Sequence, residues 1–121
     1  MKKKIFVIDD DPVARRLILA ILEEEGFEVT ASVDFEEALR KVRQAPPDLV
    51  LIDVVMPEIS GFDACYKLKE MLQPHPPAMI VMTGKLDAID PIKARRMGAD
   101  DFVVKTSDMA VLVEAVRKIL L

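Results

Sequence analysis

Apolar residues in this chain fall into two alternating rhythms. The runs Ile5-Phe6-Val7-Ile8, Leu49-Val50-Leu51-Ile52, Met79-Ile80-Val81-Met82 and Phe102-Val103-Val104 have no polar alternation, the mark of strands covered on both faces in a parallel sheet. Glu28 to Ala31 predicts a shorter strand. Between these runs, apolar positions recur every three or four residues, as on one face of a helix. Ala14, Leu17, Ile18, Ile21 and Leu22 form the first such stripe, entered through Asp11-Pro12 and stopped at Gly26. Phe35, Ala38, Leu39 and Val42 form the second, which Pro46-Pro47 ends. A third carries Ala64, Cys65, Leu68, Met71 and Leu72 and runs into Pro74-His75-Pro76-Pro77. Asp90-Pro91 predicts a helix of only about two turns, stopping at Gly98, because a proline further in would break it. Met109, Leu112, Val113, Val116, Ile119 and Leu120 make the last stripe.

Strand and helix thus alternate five times with no repeat, linker or low-complexity tract. Right-handed crossovers would lay helices over both faces of a five-stranded parallel sheet. The expectation is one α/β domain of (βα)5 type over residues 1–121, with no output domain in this chain. At 121 residues such a domain buries enough surface to need neither a disulfide nor a structural metal.

Composition narrows the setting. Cys65 is the single cysteine and suits a reducing, cytoplasmic compartment. Behind Lys2-Lys3-Lys4 the apolar stretch ends after Ile8 at three aspartates, too short for export or for a membrane span. The net charge of -4 disfavours a nucleic-acid-binding surface.

The chemistry stands at the strand ends. Strand one ends on Asp9 and Asp10, strand three on Asp53, strand four on Thr83 and strand five on Lys105, all at the carboxyl edge where open α/β sheets bind ligands. Three carboxylates against one ammonium call for a hard cation, and Mg2+ fits best because it accepts carboxylate oxygens and recruits phosphate. Calcium would want more oxygens, and zinc its Cys and His ligands. A cation, a hydroxyl and a lysine converging on one carboxylate suit phosphoryl transfer, with Asp53 attacking phosphorus to give an acyl phosphate.

Taken singly, these residues also have plainer readings. Asp11 reads as the cap of helix one, Thr83 as a turn hydroxyl, Lys105 as a solvated charge and Phe102 as a core aromatic. His75, set between prolines, reads as an exposed loop residue, and Cys65 with Met71, Met79, Met82 and Met97 as core filling. An aspartate-nucleophile phosphatase would want an acid two residues after Asp53, where Val55 stands. A nucleotide binder would want a glycine-rich turn where Asp9-Asp10-Asp11-Pro12 stands.

Five ordered pieces, Val7 to Pro12, Asp53 with Met56-Pro57 and Gly61, Val81 to Gly84, Gly98 to Phe102, and Val104-Lys105, make the chain similar to the receiver domains of two-component response regulators. The resemblance covers essentially the whole sequence. It implies a flavodoxin-like sheet of order 2-1-3-4-5 and a signalling switch, not a metabolic enzyme, that catalyses its own phosphorylation and dephosphorylation. Asp53 would accept a phosphoryl group from the phosphohistidine of a histidine kinase or phosphotransfer protein. Asp10 would bind Mg2+ directly, Asp9 largely through water, and Val55 through its backbone carbonyl. Thr83 and Phe102 would form the switch pair that remodels the face of helix 4, strand 5 and helix 5 toward an unknown output partner or output domain. The alternative is a receiver-like interaction module that acts without phosphorylation. Val55 and Lys85 flank the site where a hydrolytic water would approach.

The chain departs from the family pattern in two places, the stretch after Lys105 and the Asp90-Pro91 interruption. Thr106 follows Lys105 where the family usually has proline, so a trans bond and a rearranged loop are expected there. Ser107 replaces an apolar staple, leaving Asp108 as the expected cap of the last helix. With the Asp90-Pro91 interruption, these changes predict an atypical output surface.

Overall fold

The central strand sets the frame. Leu49–Asp53 (β3) is buried at every residue, because it is flanked by strands on both edges and helices on both faces. The computed structural model describes residues 2–84, 90–105 and 109–121. Among them β1 (Lys4–Ile8), β2 (Glu28–Ser32), β4 (Ala78–Thr83) and β5 (Asp101–Val104) complete a five-stranded sheet of order β2-β1-β3-β4-β5, every pair parallel. The helices are α1 (Pro12–Glu24), α2 (Phe35–Gln44), α3 (Gly61–Met71), α4 (Pro91–Arg96) and α5 (Ala110–Leu120).

The unbroken apolar runs serve two cores, since successive side chains leave a strand on opposite faces. Ile5, Val7, Leu49, Leu51, Ile80 and Met82 pack with Ile18 and Leu22 of α1 and with Leu112, Ala115 and Val116 of α5. Phe6, Ile8, Val50, Ile52, Met79 and Val81 pack with Ala38 and Val42 of α2, Ala64, Cys65 and Leu68 of α3, and Ala94 of α4. Cys65 is fully buried, its Sγ 3.4 Å from Met79 Sδ. Burial pushes its thiol up to about 12.

The helix boundaries follow local chemistry. Asp11, Asp34, Ser60 and Asp90 each cap a helix by accepting from a backbone N–H two or three residues on. Gly26 and Gly98 end α1 and α4 at φ of 98° and 96°, where the N–H groups of Phe27 and Ala99 reach back to the carbonyls of Leu22 and Ala94. With Pro91 at its first position, α4 has six residues. Asp100 joins the layers: Oδ2 accepts from Met79 N at 2.8 Å and from Lys69 Nζ at 3.2 Å.

Some expectations need correction. Leu17, read as part of the inward stripe, is exposed, because Ile18 and Leu22 already fill the space over β1. Phe102 is half-buried at the sheet edge and packs against the α2–α4 core from outside. The residue before α5 is Met109, with left-handed backbone (φ 56°) and no side-chain cap bond; burial among the α5 core residues holds it there. Thr106, Ser107, Asp108 and Lys85 lie outside the described residues. His75 is exposed.

Candidate active site

Strand register delivers the site. Ile8 pairs with Ile52, Asp53 with Met82 and Thr83 with Val104, so Asp9, Asp53, Thr83 and Lys105 all reach the carboxyl edge side by side. The Lys105 N–H donates to the Thr83 carbonyl at 2.7 Å, carrying the β4–β5 pairing one residue further. Carboxylate oxygens of Asp9, Asp10 and Asp53 lie within 4.8 Å of one another. Asp10, Asp53, Val55, Thr83, Gly84 and Lys105 line a cavity of about 250 Å3.

The two inner carboxylates are held differently. Asp9 is fully buried; Oδ1 accepts from Asp11 N–H at 3.0 Å and Oδ2 from Lys105 Nζ at 2.9 Å. Asp53 is 6% exposed. Its Oδ1 accepts from Val55 N–H at 3.2 Å, while Lys105 stands 3.4 Å from Oδ2. Burial pushes the Asp53 carboxyl up to about 6; Lys105 and the Val55 N–H pull it down, and the neighbouring Asp9 adds to the rise. For Lys105, burial works to lower the ammonium's pKa, but its bonds to Asp9 and Asp53 outweigh that and hold it above its ordinary value. Three hard oxygen donors around partly unbalanced negative charge fit a divalent cation that prefers oxygen.

The remaining predicted residues take peripheral places. Thr83 is buried at the end of β4 on the cavity wall. Phe102 stands opposite Val81, two residues before the Val104 that pairs with Thr83. Val55 offers its N–H to Asp53, and its side chain is exposed at the cavity rim.

Two supporting residues were not assigned roles from the sequence. Arg15 Nη1 donates to the Asp9 carbonyl at 2.9 Å. Gly61 donates its N–H to the Val54 carbonyl at 2.8 Å, so close to β3 that a Cβ would lie 2.7 Å from Val54 Cα and nearer still to the Asp53 carbonyl oxygen. Backbone cannot yield as a flexible side chain can. Gly61→Ala is expected to cost about 1–3 kcal/mol and to weaken cation binding, read by urea denaturation and Mg2+ titration; an unchanged midpoint would show that the loop moves freely. A glycine four residues after Met-Pro was visible in sequence, but nothing there showed how near the backbone lies.

The family model of the response regulator receiver domain matches residues 5–117. The chain belongs to that family. The receiver is 35% identical over 117 residues to the DNA-binding response regulator MtrA of Mycolicibacterium smegmatis, covering 97% of this chain and 50% of that protein. It is 38% identical over 120 residues to the probable transcriptional regulator ycf27 of Cyanophora paradoxa, covering 98% and 48%. It therefore spans about half the length of these curated relatives. Among solved structures it resembles the response regulator TrrA of Thermotoga maritima in complex with Mg2+-BeF, at 33% identity and a TM-score of 0.87 over 98% of this chain and 99% of that one. TrrA in complex with the histidine kinase ThkA matches at 33% identity and a TM-score of 0.85 over the same shares. The receiver is accordingly a signalling domain of the two-component type, a phosphorylation-controlled switch. No helix among its described residues is long and apolar enough to cross a membrane.

Proposed function

We propose that this receiver takes a phosphoryl group onto Asp53 from the phosphohistidine of a histidine kinase or phosphotransfer protein, in the cytoplasm, with Mg2+ as cofactor. The observation that carries the reading is the convergence of the Asp9, Asp10 and Asp53 carboxylates and the Lys105 ammonium at one sheet edge. The TrrA structures with Mg2+-BeF and with a histidine kinase support the same chemistry.

In this reading Asp9, Asp10, Asp53 and the Val55 backbone carbonyl hold Mg2+. Bound there, the ion supplies positive charge to the oxygens of the transferred group. An Asp53 carboxylate oxygen forms a bond to phosphorus as the phosphorus–nitrogen bond breaks, and the bonding electron pair stays with the imidazole, which leaves neutral because its other ring nitrogen carries a proton. The Lys105 ammonium, already between Asp9 and Asp53, neutralises charge on the phosphoryl oxygens. Thr83, on the cavity wall, donates its hydroxyl to a phosphoryl oxygen after transfer, and Phe102 follows by repacking at the sheet edge. That repacking biases the face of α4, β5 and α5 and passes the signal on. The short, six-residue α4 supports the reading of this output face as atypical. With a net charge of -4, we assign the receiver no nucleic-acid contact of its own; its output runs through a further domain or another protein.

Intact-protein mass spectrometry after incubation with acetyl phosphate tests the reading. One added phosphoryl group is expected in the presence of Mg2+, none with chelator, and none in Asp53→Asn. An Mg2+-binding protein that takes up no phosphoryl group would favour an interaction module working without phosphorylation.

A further inference from the structure

Asp9 is held at both carboxylate oxygens, by the Asp11 N–H and by Lys105. Asp10 is not. Its side chain is exposed, and among the described residues its carboxylate has no hydrogen-bond donor in the protein. The position of Asp10 therefore depends on its backbone, above all on the peptide that joins it to Asp9. That peptide lies beyond the last β1–β3 pair, Ile8 with Ile52. Arg15, in the first turn of α1, donates from Nη1 to its carbonyl oxygen at 2.9 Å. Among the described residues the guanidinium of the half-buried Arg15 forms no ion pair, so its one directed interaction is this grip on the turn that presents Asp10.

We propose that Arg15 is a positioning residue for the cation site, fixing the Asp9-Asp10 peptide so that the Asp10 carboxylate is aimed before the cation arrives. The inference rests on the reading of this edge as an Mg2+ site. Two physical effects of Arg15 have opposite signs, which makes them separable. As a nearby positive charge it repels a cation, so removing it would tighten binding. As the clamp on a ligand's backbone it preorganises the site, and losing such outer contacts typically weakens metal binding about 10–100-fold. Mg2+ demands near-octahedral geometry, whereas Ca2+ accepts irregular and more distant oxygens. Loss of aim therefore harms Mg2+ more than Ca2+.

The experiment titrates Mg2+ and Ca2+ separately into the wild-type protein, Arg15→Lys and Arg15→Met, without phosphodonor, following amide shifts or heat. Arg15→Lys keeps the charge and loses the guanidinium fork. Both variants are expected to bind Mg2+ more weakly, Arg15→Lys by roughly tenfold and Arg15→Met by less because the lost charge partly offsets the lost clamp, with a smaller loss for Ca2+ in each, so that the preference for Mg2+ shrinks. Mg2+ binding unchanged in Arg15→Lys and tighter in Arg15→Met would show that only the charge matters and would overturn the proposal. Equal losses for both cations with a lowered melting temperature in chelator would overturn it too, by showing general loosening. A wild-type protein that binds no Mg2+ would bring down the site reading and this inference with it. Wild-type binding with unaffected variants would bring down the inference alone.

Discussion

Asp53→Asn stabilises the cation-free protein at pH 8 by on the order of 2–3 kcal/mol, and the gain vanishes below about pH 4. The reason is the burial of a carboxyl group whose pKa is raised from 3.8 to about 6 in the fold. A raised acid binds more protons folded than unfolded at intermediate pH, so wild-type stability falls as pH climbs through this window. Below the unfolded value both states are protonated and no penalty exists. Above about 6 both are ionised, and the fold carries the full cost of a buried charge that Lys105 only partly offsets. Asparagine has the shape of the protonated acid and cannot ionise. Urea denaturation of both proteins at pH 4 and pH 8 in chelator measures the difference; the same difference at both values would show that ionisation at Asp53 costs the fold nothing.

Lys105→Met gives the opposite result, a loss of about 2–4 kcal/mol at neutral pH in chelator. Asp9 is fully buried and its Oδ2 accepts from Lys105, so removing the ammonium leaves two inner carboxylates facing each other with no opposing charge. Methionine keeps the apolar stem, so the change is mainly electrostatic. Millimolar Mg2+ is expected to restore more stability to the variant than it adds to the wild-type protein, since cation and ammonium serve the same carboxylates. Melting temperatures with and without Mg2+ decide it. An equal deficit in both conditions would trace the loss to packing of the lysine stem.

The sequence disclosed the fold where burial is two-sided. Runs such as Leu49 to Ile52 have no alternation because both faces of β3 are covered, and Asp90-Pro91 marked the start of a short α4 because proline has a strict place in a helix. The strand order came from likeness to a family; parallel pairing leaves little trace in individual residues. At the site, types and spacing pointed to Asp9, Asp10, Asp53, Thr83 and Lys105, which the register brings to one edge. What could not be read was relative distance. That Lys105 lies nearer Asp9 than Asp53, that Gly61 leaves no room for a Cβ beside the Asp53 carbonyl, and that Arg15 reaches the Asp9 backbone all depend on where the turns place atoms far apart or loosely constrained in sequence. Met109 eluded the pattern because a buried apolar residue looks the same in a helix and in the left-handed position before it.

The buried Cys65 gives the molecule an internal reporter. With no other thiol in the chain, and this one both shielded between α3 and β4 and held far from its reactive thiolate form, a thiol-labelling reagent can modify the protein only after this half of the core has parted. The labelling rate under native conditions is thus a clock for core opening, and comparing it with and without the phosphoryl group on Asp53 reads how far a signal received at the sheet edge alters the interior beneath α3.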